Sequence, residues 1–125
     1  MTESSGRCHC GAVRFRVEHH ATHLVRCNCS MCQAKGALLL AVGEVDHVEI
    51  LAGEADLSSY RFHSKTAEHL FCRHCGIHPF HRPRIDPGRW SVNARCLEGG
   101  LPDLPTEDFD GRNWEAAARE EGWEG

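Results

Sequence analysis

Seven of the eight cysteines fall into three tight clusters: Cys8 and Cys10 in CHC, Cys27, Cys29 and Cys32 in CNCSMC, and Cys72 and Cys75 in CRHC, with Cys96 standing apart. Sulfurs two or three residues apart stay close together in any fold. In a reducing compartment such spacing points to metal binding and not to disulfides. CRHC followed by Gly76, and CHC followed by Gly11, read as two knuckles, in which a tight turn aims both sulfurs at one point and the glycine lets backbone amides approach them. Two such pairs, from distant parts of the chain, complete a tetrahedral zinc site that pins the N-terminus to the middle of the sequence. Cys27, Cys29 and Cys32 are left over as three corners of a second tetrahedron. A zinc that does chemistry keeps three protein ligands and one open position.

Other partitions of the donors exist. Cys96 is available to close the second site, as is one of the ten histidines, with His19, His20 and His23 just upstream of the triad. A free cysteine is often only a small hydrophobe, but seven at ligand spacing argue against inert burial. A thioredoxin-like redox pair at Cys72 and Cys75 conflicts with the surrounding pattern, which is not βαβ.

The chain of 125 residues reads as one domain spanning 1–125, large enough to bury about 65–70% of its unfolded surface, so metal is a staple and not the only support. Ala12–Val17 alternates, with Val13, Phe15 and Val17 on one face and Arg14 and Arg16 on the other, as in a half-buried strand. Further strands are expected at His23–Arg26, Ala37–Val42, Val48–Ala52, Ser59–His63, Glu68–Cys72, Ile77–His81 and Ser91–Ala94, with Pro79 marking its segment as irregular or an edge. Two helices are expected, a short one at Ser30–Gly36 capped by Ser30 and a C-terminal one at Asn113–Glu121 packed through Trp114. The run from Glu98 to Asp110, rich in Gly, Pro and acid, reads as a surface crossing.

No apolar run approaches the roughly 18 residues of a membrane span. The N-terminus lacks the basic start and apolar stretch of a secretory signal, so a cytoplasmic location is expected. A net charge of −4 serves nucleic-acid binding poorly, since affinity for phosphates comes from cationic side chains. The sequence specifies no oligomeric state.

GRCHCGAVRF (6–15), CNCSMCQAKGA (27–37), FCRHCGIHPFHRPR (71–84), VNARCLE (92–98) and FDGRNWE (109–115) together resemble, in order and spacing, the glutathione-dependent formaldehyde-activating enzyme family, related to the centromere protein V family. The resemblance implies a mainly β fold, a β-tent of small antiparallel sheets organised around zinc with a short C-terminal helix. It implies two Zn²⁺ per chain, a structural ion on Cys8, Cys10, Cys72 and Cys75 and a catalytic ion on Cys27, Cys29 and Cys32. The implied activity is that of a carbon–sulfur lyase that forms or cleaves S-hydroxymethylglutathione, with a small-molecule thiol such as glutathione as partner. A non-catalytic zinc-stapled module that binds a thiol metabolite or a protein is the alternative.

Around this centre, His74, His78 and His81 are candidates to move a proton near neutral pH. Arg82, Arg84 and Arg95 are candidates to hold substrate carboxylates, Arg95 first because it adjoins Cys96. Cys96 reads as either a pocket thiol or a buried one. Trp90, Trp114 and Phe109 read as packing residues.

Overall fold

The computed structural model describes residues 2–61 and 66–116. Ten strands build three small sheets. The first contains β1 (Thr2–Arg7), β2 (Arg14–His19) and β5 (Val45–Ala52) in the order β1-β2-β5. The second contains β3 (Leu24–Cys27), β4 (Leu39–Leu40) and β10 (Thr106–Phe109) in the order β10-β3-β4. The third contains β6 (Leu57–Tyr60), β7 (Glu68–Cys72), β8 (Phe80–Arg82) and β9 (Ser91–Val92) in sequence order. All pairings among them are antiparallel except β10 with β3, which is parallel. The fold is mainly β.

Alternation along β2 does what its pattern predicts. Val13, Phe15 and Val17 are fully buried, while Arg16 sits on the solvent face among Glu3, Glu18 and Glu49. The Phe15 ring meets Phe80 of the third sheet edge to face at 5.3 Å, and Phe80 meets Trp90 at 4.8 Å, which places Trp90 in packing as expected. Leu24, Leu40, Val45, Val48, Val92 and Leu97 complete this core, and Cys8 and Cys72 belong to it. Burial of such side chains contributes roughly 1.5–3 kcal/mol each.

Several expected elements shift. The strand expected at Ala37–Val42 contracts to two residues, because Val42–Glu44 turns as a 3-10 helix. Pro79, lacking a donor, precedes β8 and leaves its carbonyl to accept Asn93 N–H at 2.9 Å. Ser91–Ala94 is a strand only over its first two residues, with Asn93 making an isolated bridge to Leu39, since Ala94–Cys96 forms another 3-10 turn. The strand expected at Ser59–His63 begins earlier and ends earlier, running from Leu57 to Tyr60, and residues 62 and 63 lie outside the described residues. The helix α1 (Ser30–Lys35) forms as expected, but Cys29 and not Ser30 is its N-cap, with the Cys29 Sγ accepting Cys32 N–H. Residues 114–116 are helical, and the remainder of the expected C-terminal helix lies outside the described residues. Among the described residues no helix is long and apolar enough to cross a membrane.

Candidate metal centres and the cavity beside them

The structure brings the four sulfurs of Cys8, Cys10, Cys72 and Cys75 within 4.8 Å of one another. Two separations are 3.6 Å, between Cys8 and Cys10, and 3.7 Å, between Cys10 and Cys72. A tetrahedral zinc with Zn–S bonds of about 2.3 Å has sulfur–sulfur edges of about 3.8 Å, so this donor set fits the ion. Gly11 at φ +80° and Gly76 at φ +78° make the two turns, a backbone geometry that side chains resist. Val13 N–H donates to the Cys8 sulfur at 3.3 Å. Burial pushes Cys75 up, but amides of Cys10 and Ile77 and the neighbouring thiols outweigh it and leave the group at about 6.

Cys27, Cys29 and Cys32 form a second group within 4.8 Å, and no fourth ligating atom joins it among the described residues. Cys96 does not close it. That thiol is buried and donates to the His78 carbonyl at 3.8 Å, and burial raises it to about 11. Within the triad the hydrogen bonds from Cys27 and Cys32, joined by amides of Cys32 and Met31, drive Cys29 far below the usual thiol range. Cys32 is raised in turn, first by its bond with Cys27 and then by Cys29 and burial. The surroundings of Cys29 thus favour its thiolate form.

The triad opens into a cavity of about 640 Å³ between the second and third sheets. Val25, Leu39, Phe109 and Trp114 make it largely apolar, so Phe109 and Trp114 wall the cavity besides packing. Neither this cavity nor the smaller one near the N-terminus is lined by the four-sulfur group. Opposite the triad, His69, His81 and Ser91 line the wall in one cross-strand row, His69 facing His81 and His81 facing Ser91 in register. The two imidazoles stack at 4.7 Å. Lys35 reaches His69 Nδ1 from α1 at 3.2 Å. Burial lowers the Lys35 ammonium, while the thiolates of Cys32, Cys29 and Cys27 hold it up.

The chain after β10 straps the triad from outside. Arg112 donates to the Asn28 carbonyl at 2.9 Å and to Gln33, and Asn28 donates to Asp110 at 3.0 Å. Gly111 lies so close that a Cβ there would sit 2.5 Å from the Cys27 sulfur.

Residues 3–109 match the family model described as glutathione-dependent formaldehyde-activating enzyme. The chain belongs to this family. A crystal structure of a Rhodobacter sphaeroides protein is similar at 36% identity and a TM-score of 0.70, covering 82% of this chain and 99% of that one. Within this glutathione-dependent formaldehyde-activating enzyme family member, the histidine candidates separate. His81 lines the cavity, while His74 bonds Asp56 at 2.9 Å on the exposed four-sulfur side. His78 packs against Phe71. The arginines separate too: Arg82 lies over Trp90, and Arg95 donates to the Gly36 carbonyl at the end of α1. Arg84 alone of the three reaches the cavity, over Trp114 and paired with Glu115. His69 and Ser91 lie in no motif, whereas Lys35 and Gly111 fall inside the runs 27–37 and 109–115 without having been singled out. Only Lys35 had a usable signal, its position three residues beyond Cys32 on one face of a helix.

Proposed function

We infer that this single domain is a zinc-dependent carbon–sulfur lyase or synthase acting on a thiol–aldehyde adduct of the S-hydroxymethylglutathione type. Cys8, Cys10, Cys72 and Cys75 hold a structural zinc, and Cys27, Cys29 and Cys32 hold a catalytic one. The observation that carries this reading is an asymmetry: the three-sulfur group opens into the cavity and the four-sulfur group does not. The three small sheets around these groups support the β-tent arrangement that the family implies.

A zinc on three thiolates supplies a mild Lewis acid with room for a further sulfur. Cys27, Cys29 and Cys32 would hold that ion, and the hydrogen bonds that draw Cys29 far below the usual thiol range favour its thiolate form. Lys35 faces a site whose three thiolates leave a net charge of −1 on a divalent ion, and its own charge lowers the cost of admitting another thiolate. The apolar walls exclude water around the reacting sulfur and carbon. In the forward direction the thiol adds to the aldehyde: an S–C bond forms, the carbonyl π bond breaks, and the proton leaving sulfur ends on oxygen. The reverse cleaves the same S–C bond.

Cobalt substitution followed by glutathione titration tests the reading. A new sulfur-to-cobalt charge-transfer band is expected for one of the two ions, with exchange of ¹³C-formaldehyde and glutathione accelerated by the zinc protein. A spectrum indifferent to glutathione would sink it.

A further inference from the structure

The cavity wall shared with the triad carries two polar atoms with no partner among the described residues. His81 Nδ1 and Ser91 Oγ are buried without a hydrogen bond, on residues 5% and 1% exposed. Such groups are costly, and a native protein keeps them where something else completes them. Their neighbours on the same two strands, Phe80 and Val92, point the other way into the core. The alternation therefore turns one face of the sheet to packing and leaves its polar row to the cavity.

Resting on the function proposed above, we propose that His81 and Ser91 form the subsite for the aldehyde-derived oxygen, holding the hydroxyl of the thiol–aldehyde adduct while its sulfur lies at the triad. The chemistry of the pair suits this occupant. Burial favours the neutral form of His81, whose Nδ1 donates or accepts according to its tautomer, while the Ser91 hydroxyl can do both. A hydroxyl donates and accepts, and satisfies both. As the S–C bond forms, the former carbonyl oxygen becomes that hydroxyl, so its contacts strengthen along the reaction and favour the transition state over the separate reactants. The stack on His69 fixes the His81 ring plane.

The test compares zinc-loaded wild type with Ser91→Ala and His81→Phe. Melting temperature, calorimetric titration with glutathione alone, and ¹³C-formaldehyde exchange kinetics are measured for each. Ser91→Ala is expected to melt at or above the wild-type temperature, because it removes an unsatisfied buried hydroxyl, to bind glutathione within twofold, and to lose about tenfold in kcat/KM. His81→Phe keeps a stacked ring and is expected to lose at least as much. Should that variant fail to fold, Ser91→Ala alone decides. Exchange within twofold of wild type in Ser91→Ala overturns the subsite and leaves the proposed function standing. An equal loss of glutathione affinity overturns the oxygen assignment, since the row would then be touching the thiol's own body. A wild-type protein that neither binds glutathione nor accelerates exchange overturns both.

Discussion

Cys29 shows how much one side chain is asked to do. It caps α1 through its sulfur, lines the cavity, and is drawn far below the usual thiol range by hydrogen bonds from Cys27 and Cys32. Cys72, at 0% exposure, is by contrast part of the main core as well as of the four-sulfur group. Cys72→Ser is therefore expected to lower the melting temperature steeply and release one zinc per chain. Cys29→Ser should release the other and abolish exchange with a small change in melting. Equal losses of melting temperature would put the two roles in error. A second expectation concerns acid. Burial lowers His69 and His78 to about 4 and His81 well below its usual range. Between pH 6.5 and 4 the unfolded chain then binds protons that the folded one refuses, so stability is full above about 6.5 and falls as the pH drops through that window. Urea midpoints at saturating zinc check this, and His81→Phe should show a shallower fall than wild type. The sulfur clusters were legible because ligand spacing is local. The His69–His81–Ser91 row was not, because it exists only across three paired strands.

The same division between local and distant information runs through the elements. β7 occupies the range its apolar pattern marks, and β2 alternates as read. β1 and β10 escaped the sequence. Thr2–Arg7 is a polar run whose pairing with β2 supplies what its own side chains do not, and Gly6 lies flat beneath the Phe15 ring. Thr106–Phe109 is exposed along most of its length and is held by parallel pairing with β3, a partner about 80 residues away. That strand matters, since it delivers Gly111 and Arg112 to the triad loop. Gly111→Ala would drive a methyl group into the Cys27 sulfur and the Cys29 Cβ. A cost of about 1–3 kcal/mol is expected, as for other overpacked sites, along with at least a tenfold loss of affinity for the triad metal. Arg112→Ala, which only frees Asn28 and Gln33, should do less. Zinc competition with a chromogenic chelator measures both.

Across the whole molecule, the proposed division of structure from chemistry between the two sulfur groups follows from where they attach. The four-sulfur group joins the turn before β2 to the turn after β7, and two of its members lie in the core that the first and third sheets share. The triad is contiguous in sequence, running from Cys27 at the end of β3 through the N-cap Cys29 to Cys32 in α1, with its own small cluster of Cys32, Ala37 and Leu39. Removing an ion that cross-links distant strands exposes that shared core, whereas removing one from a single loop costs only local order. Graded chelation should therefore release zinc in two steps. The first ion leaves with loss of exchange activity and little change in far-ultraviolet circular dichroism, and the second leaves together with the fold. Glutathione should delay only the first step, because a ligand protects the site it occupies. One concerted release, with activity and dichroism lost together, would mean that both ions support the fold alike and that the open cavity does not mark a separate chemical centre.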